Sequence, residues 1–410
     1  MGAGTAQRGA CLLISGKVRK NMEFVVFAGV LLLLFIFMIV QELIQTKNQE
    51  KLFKKYLREN YGKEPPKEYS LERFARLGSY LERHKEEKQL DDITWNDLGM
   101  DEVFRRIDRT YSAAGEEYLY YTLRNISCGR EALEHLEEVV NWLQEQENIK
   151  VRIQLLMKRL GHLGKYSLYD YLDNLDYLGE RSNRKIVLGN LLYLPFLLLL
   201  FVQPAMGTIG IVLCMLWHIM TYFREKKVIE PYIISFAYVL RLIDVCEELE
   251  KQKIPVYRRE LDELREALKS LRELRRGAYW VMAGNQGKIG GNPLDILADY
   301  LRMILHLDIF QFNRMLEKLR KKTGQVETML AITGYLDMAI SVGGFRKSLE
   351  GYCIPKLEED TEKAFLHMKK GWHPLLSQPV KNSIRADRGI LLTGSNASGK
   401  STFLKMVAVN

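Results

Sequence analysis

Two apolar runs set back to back near the middle of the chain limit its fold more than any other feature. Ile186 to Val202 and Ala205 to Phe223 contain no Asp, Glu, Lys or Arg, and Gln203-Pro204 between them suits a turn. Each run is close to the ~20 residues a helix needs to cross a bilayer core. Arg181, Arg184 and Lys185 precede the pair, and Arg224, Lys226 and Lys227 follow it. Basic residues on both outer flanks mark both ends as cytoplasmic. The pattern therefore predicts a transmembrane hairpin over 186–223. The alternative is a buried helical hairpin in a soluble core. The basic flanks and the lack of charge favour the membrane.

A third apolar run, Phe24 to Val40, follows a small, basic N-terminal segment over 1–23. It has no small-residue cleavage site and reads as an uncleaved membrane helix over 24–40. Met22 stands directly before it and is a candidate natural start. A start there would remove Arg8, Lys17, Arg19 and Lys20, so the charge rule would no longer oppose an outside-to-inside anchor. The chain is then a multi-pass membrane protein with its remaining segments in the cytoplasm.

Between and after these runs the chain reads as mainly α. Residues 41–100 look like a polar linker with short helices, broken at Pro65-Pro66. The charge run His84 to Lys88 reads as a solvated helix face. Residues 101–185 and 224–370 are two parts of one helical core. Leu261, Leu264, Leu268, Leu271 and Leu274 form an apolar stripe at helical spacing in the second part. Asn285 to Pro293 is glycine-rich and breaks the pattern; Asn292 should cap a new helix with Pro293 at its first position. No strand precedes glycines 284, 287, 290 and 291, so a long turn is the reading there rather than a phosphate site.

Lys and Arg number 60 against 51 Asp and Glu, a formal charge of +9. That sign suits an acidic partner, nucleic acid or anionic lipid, without choosing between them. Cys11, Cys128, Cys214, Cys246 and Cys353 form no C-x-x-C pair, which points away from zinc and disulfides and toward a reducing compartment.

The chemistry is concentrated at Gly389 to Asn410. Ile390, Leu391 and Leu392 read as a short buried parallel strand. Gly394, Ser395, Asn396, Ala397, Ser398, Gly399, Lys400, Ser401 and Thr402 then match the phosphate-binding loop pattern G-x4-G-K-[ST], and a helix follows. Backbone N–H groups of such a loop surround phosphate oxygens, and the helix N-terminus adds its positive dipole end. Lys400 is placed for the β- and γ-phosphates and the Ser401 hydroxyl for Mg2+, so ATP and Mg2+ are the expected ligands. The alternative is a glycine turn beside an exposed lysine.

Three separated stretches together resemble the MutS family, the ATPases of DNA mismatch repair. Ile107-Asp108-Arg109-Thr110-Tyr111-Ser112-Ala113-Ala114-Gly115 is similar to the opening of that family's helical core. Tyr335-Leu336-Asp337-Met338-Ala339 and Gly351-Tyr352-Cys353-Ile354-Pro355 resemble its last core helices. Gly371-Trp372-His373-Pro374, then Val380-Lys381-Asn382, then Thr393 to Thr402 resemble the entry to its ATPase domain. His373-Pro374 reads as a turn entering the first sheet strand, not as a catalytic group. Trp372, Ser395 and Ser398 depart from the family's usual arginine, proline and glycine.

The resemblance implies a helical core interrupted by the hairpin, then at 371–410 the first strand and helix start of an α/β P-loop ATPase domain. It also implies adenine contacts from Val380 and Asn382, a homodimer of the full-length parent, and DNA as a partner. An acidic Mg2+ ligand on a later strand, a water-positioning residue and a signature segment are expected beyond Asn410. The sequence is accordingly read as a fragment with an incomplete ATPase domain and no catalytic residue of its own. No mismatch-reading domain precedes the core, and Phe223-Arg224-Glu225 at a membrane exit is a coincidental match to the family's wedge. Two functions follow. One is a membrane-anchored MutS-like ATP-binding protein that binds DNA. Its best basic candidates are Arg265, Lys269, Arg272, Arg275 and Arg276, although the acidic residues among them favour a solvated face. The other is a membrane P-loop ATPase with no DNA role, coupling nucleotide binding to the hairpin.

Overall fold

The computed structural model describes residues 36–41, 43–63, 69–86, 88–126, 129–163, 167–275, 293–358, 364–395 and 398–410. The chain forms two units. The first comprises Met1–Glu59 with Gly290–Asn292. Its described part is helical over 36–41 and 43–59. The anchor expected at Phe24–Val40 is described only from residue 36, and the glycine-rich stretch with its Asn292 cap lies outside the described residues.

The second unit holds the rest of the chain and is mainly helical. Its helices are α1 (Leu71–Arg83), α2 (Asp92–Leu98), α3 (Met100–Ile107), α4 (Ala113–Arg124), α5 (Arg130–Glu145), α6 (Glu147–Leu160) and α7 (Leu168–Asp173). There follow α8 (Arg184–Leu191), α9 (Tyr193–Val202), α10 (Pro204–Glu250), α11 (Arg258–Leu271), α12 (Pro293–Leu305), α13 (Leu307–Arg320) and α14 (Thr323–Ser348). The strands β1 (Leu366–Gly371) and β2 (Asn382–Ala386) precede the last helix, α15 (Lys400–Val409).

The core forms around α14, which packs against α4, α5, α6, α10 and α11. The α4–α14 crossing is close because two glycines make it so. A Cβ on Gly115 would lie 2.4 Å from Asp337 Oδ2, and one on Gly334 would lie 2.6 Å from the Ala114 carbonyl oxygen. Asp337 is 1% exposed. Its carboxylate accepts the Tyr111 N–H at 3.0 Å, the Ser112 N–H at 2.8 Å and the Ser112 hydroxyl at 2.6 Å. One helical turn on, Ser341 accepts the Arg109 N–H at 2.7 Å and donates to the Ile107 carbonyl at 2.8 Å. The two stretches picked out in sequence, 107–115 and 335–339, thus meet as one buried polar junction. Ser112 also caps α4 by accepting the Gly115 N–H at 3.1 Å.

Charge is buried beside this junction. Glu116 takes Arg73 and Arg76 of α1, the latter at 2.8 Å. Glu117 accepts the Ser167 hydroxyl at 3.0 Å, and burial pushes its carboxyl up to about 8. The Leu261–Leu274 stripe is wholly buried, as its spacing predicts. The stretch 71–100 differs from the expected linker. Leu77 of α1 is fully buried and Trp95 of α2 is 2% exposed, in a second core cluster with Phe104, Leu119 and Met338. Its apolar residues are few, but they fall on one side of each short helix and bury that side.

The hairpin residues form α8, α9 and the first half of α10. The outer arm breaks at Leu192, where Pro195 has no N–H to give the Leu191 carbonyl. The arms cross tightly: a Cβ on Gly210 would lie 2.1 Å from the Phe196 ring and one on Gly207 2.6 Å from the Leu200 nitrogen. Arg184–Val202 and Pro204–Glu230 are long and apolar enough to cross a membrane. So is Thr323–Ser348, but 72% of its apolar window is buried in the core, so its hydrophobicity serves packing. Sequence places a boundary at 223, yet α10 runs on as one helix to Glu250.

Asp337→Ala would take the carboxylate away from the Tyr111 N–H, the Ser112 N–H and the Ser112 hydroxyl. The expected cost is about 3 kcal/mol or more, at roughly 1–3 kcal/mol per stranded group. Denaturant unfolding of the two proteins measures it, and equal midpoints would show that the junction does not hold the core.

Candidate phosphate loop and its seat on the core

β1 and β2 pair antiparallel, Leu366 opposite Ala386 and Gly371 opposite Asn382, with an irregularity between Met368 and Gly371. Lys370 sits there at φ 53°, and its N–H reaches the Ser383 hydroxyl at 3.0 Å. The His373-Pro374 turn leaves β1 and precedes β2, rather than entering the first strand. The Leu376 N–H closes it onto the His373 carbonyl at 3.2 Å. His373 Nδ1 accepts the Leu375 N–H at 3.3 Å, and the ring is buried. Burial holds this imidazole below its ordinary value, and the Lys405 ammonium adds to the effect.

The strand expected at Ile390–Leu392 is absent. Those residues pair with nothing in the two-stranded sheet, and Leu391 is 88% exposed. A parallel strand needs neighbours on its edges and a layer over each face. Among the described residues neither is supplied here. Local sequence gives the loop beyond it more definition. Gly399 has φ 86° and stands directly before α15, a backbone that a Cβ would strain. Among the described residues no atom lies within 4 Å of where its Cβ would be, so the glycine serves conformation here. Gly394 is the crowded one: a Cβ there would lie 2.8 Å from Ser398 Oγ. The Lys400 ammonium folds back over the loop and donates to the Gly394 carbonyl and, at 3.0 Å, to the Ser395 carbonyl. Ser401 and Thr402 are exposed at the start of α15, and Asn396 and Ala397 lie outside the described residues.

These contacts form a turn whose Gly394 and Ser395 carbonyls close on one ammonium. The residues fit a phosphate group: Lys400 holds acceptors that a phosphate oxygen could replace, and the α15 N–H groups point outward at the same end. The Ser401 hydroxyl is open to solvent, as a metal-ligating oxygen at that position must be. The two residues expected near the base meet one another, the Asn382 amide donating to the Val380 carbonyl at 3.0 Å. Both are exposed, Val380 at 77%.

The seat of the loop was not foreseen from sequence. The buried face of α15 turns inward, Met406 being 2% exposed, and the helix packs on α2. Val409 and Leu375 join the second core cluster, alongside Trp95 and Met338. The Asn410 amide donates to the Trp372 carbonyl at 2.9 Å, and Lys381 lies 5.0 Å from the Trp372 ring centre. The only sequence signal was the spacing of Phe403, Met406 and Val407 along a helix too short to show its period.

The candidate DNA face on α11 is laced with ion pairs. Arg265 bonds Glu250 and Asp262, both at 2.7 Å, and Lys269 bonds Glu266 at 2.7 Å. The side chain of Arg275 and all of Arg276 lie outside the description. Paired cations of this kind suit a solvated face better than a phosphate-binding track.

No protein-family model matches the chain. Part of it is similar to known proteins. Human MutS protein homolog 4 is 28% identical over 117 residues, which is 27% of this chain and 12% of the relative. The mouse MutS protein homolog 4 is 29% identical over 117 residues, with the same shares. The DNA mismatch repair protein MutS of Leptospira interrogans is 30% identical over 119 residues, 26% of this chain and 14% of its own length. The match thus spans about an eighth of each relative's length. It supports a MutS-like relationship.

The buried, neutral His373 gives the seat a pH dependence. Its folded pKa lies below the unfolded 6.5, so the unfolded chain binds more protons as pH falls. The stabilisation is complete above that value and is lost as pH drops through the folded pKa. Melting of the wild type from about pH 7.5 to about pH 5 should fall more steeply than melting of His373→Gln. Parallel curves would place this imidazole in solvent.

Proposed function

We propose that the chain belongs to a MutS-like, ATP-binding membrane protein whose helical core carries the phosphate loop on one side and a membrane hairpin on another. The observation that carries this is the joint one: a partial MutS similarity, with its core junction at Asp337 and a G-x4-G-K-S loop opening α15 on the same core. Lys400 would hold the β- and γ-phosphates of ATP and Ser401 its Mg2+, with Gly394 to Thr402 wrapping the phosphates and Val380 and Asn382 on the adenine side. Bound Mg2+ would supply charge neutralisation at the phosphates. The chain's own residues bind and orient the nucleotide. For ATP hydrolysis a paired copy would complete the site.

The membrane reading rests on the hairpin surface. Leu198 is 69% exposed, Phe201 89%, Val202 77% and Met220 75%, on arms with no Asp, Glu, Lys or Arg between Ile186 and Phe223. An apolar surface of that extent suits lipid. The basic flanks put both hairpin ends, and so the core and phosphate loop, on the cytoplasmic side. DNA is the partner that the relatives' names suggest. A second reading, a membrane ATPase with no DNA role, is favoured by the continuous α10 and by the ion-paired α11 face.

Lys400→Ala should weaken binding of a fluorescent ATP analogue by about tenfold or more, since one charge-assisted phosphate contact is worth roughly 1.5–3 kcal/mol. Unchanged binding would leave the loop a plain turn. DNA titrations over a range of salt then separate the two readings. A DNA-binding core gives a log–log slope of several units. A flat line, or no binding at low salt, selects the ATPase without DNA.

A further inference from the structure

We propose that the elbow between α12 and α13, with His306 at its apex, dips into the cytoplasmic leaflet beside the hairpin, so that α12 is a further lipid-contacting element. The proposal rests on the membrane reading of the hairpin.

A ladder of contacts sets the elbow's height. At the foot, Arg181 donates to Asn313 Oδ1 at 3.2 Å and the Asn183 amide donates to the Phe310 carbonyl at 3.0 Å. Higher up, the Tyr222 hydroxyl donates to Asp308 Oδ2 at 2.8 Å. Higher still, His306 Nε2 donates to the His218 carbonyl at 3.1 Å and the Asn190 amide to the Leu305 carbonyl at 3.1 Å. Asn183 and Asn190 lie seven residues apart on the arm that begins with α8, a rise of about 10 Å. Arg181 and Arg184 mark the basic boundary at the foot of that ladder. The apex therefore stands about 10 Å beyond the boundary, level with the apolar hairpin.

The apex of the elbow is built as hydrocarbon requires, with its polar side chains turned inward. His218 is fully buried, Asp308 is 4% exposed and His306 is 6% exposed. Three backbone groups at the break have internal partners. Asn190 takes the Leu305 carbonyl, Asp308 Oδ1 takes the Ile309 N–H at 2.9 Å, and the Phe310 N–H returns to the His306 carbonyl at 2.8 Å. Water would supply those partners to an elbow in solution, whereas lipid cannot. Outward, α12 shows Tyr300, 56% exposed, and Leu301, 39% exposed. Arg302 on the same helix is 3% exposed and pairs with the Asp299 carboxylate, whose side chain is 62% exposed.

The test is spin-label depth measurement on the full chain in liposomes, with single cysteines in a cysteine-free background at Leu301, at Leu198 on α9 and at Ile93 on α2. Leu198 and Ile93 are 69% and 74% exposed, so both report their solvent directly. The expected result is an oxygen-to-nickel collision ratio at 301 several-fold above that at 93 and close to that at 198. A ratio at 301 equal to that at 93, with 198 in lipid, overturns the elbow proposal and leaves the hairpin standing. Exclusion of both reagents from 301 overturns it too, because a protein would then cover α12. A ratio at 198 equal to that at 93 overturns the membrane reading and the elbow with it. The same measurement at Tyr300 guards against a local effect of the label at 301.

Discussion

The Asp337 carboxylate holds the core at its most crowded point. It is a buried anion whose described hydrogen bonds come from two backbone N–H groups and a hydroxyl of the segment entering α4. Such an acceptor stabilises only when its donors are fixed, and here Gly115 and Gly334 let the helices close until they are. The consequence is topological. Segment 107–115 precedes the hairpin and α14 follows it. The chain can leave for the hairpin and return because the two halves are joined through this junction and the packing of α14 on α4, α5 and α6, not only through their connection. Arg73 and Arg76 on Glu116 then tie α1 to the same segment, which brings 71–83 into the core.

This explains what was legible in sequence and what was not. The Leu261–Leu274 stripe could be read because a helix with one wet face writes its period into the chain. The hairpin arms could be read because length and absence of charge suffice there. The glycine and lysine spacing of the loop could be read because φ at Gly399 and the reach of Lys400 are local matters. The burial of Leu77 and Trp95 could not be read, since charged residues surround each in sequence and only tertiary packing shows which side is dry. Ile390–Leu392 failed for the opposite reason. Three apolar residues state a preference for a strand, but a strand exists only by its neighbours, and the described sheet has none to offer them. Asp337 was legible as a motif residue but not as an acceptor for residues more than 220 positions away.

The remaining question is how the loop before α15 and the apolar hairpin share one scaffold. Seen from the loop, α15 rests on α2, and its last turn enters the cluster that contains Met338 of α14. Met338 adjoins Asp337, so the loop's helix and the core junction press on neighbouring residues of one helix. Seen from the hairpin, α10 is a single helix of 47 residues, about 70 Å long, with no break where it leaves the apolar run. Its second half packs on α6, α11 and α14. Contiguous packing alone does not couple two sites; an element with two arrangements is needed. The course of α10 narrows where that element can be. Pro231 lies within this helix and has no N–H to give the Lys227 carbonyl, so a bend between its two halves costs least there. Hairpin movement is therefore absorbed most readily at Pro231, or at the breaks at Leu192 in the outer arm and His306 beside it. Both breaks lie at the hairpin's side of the molecule. Tyr222 and His218 of α10 hold the elbow through Asp308 and His306, and Gly207 and Gly210 seat the outer arm closely on α10, so the arms and the elbow are tied to the hairpin half of α10 and shift with it as one body.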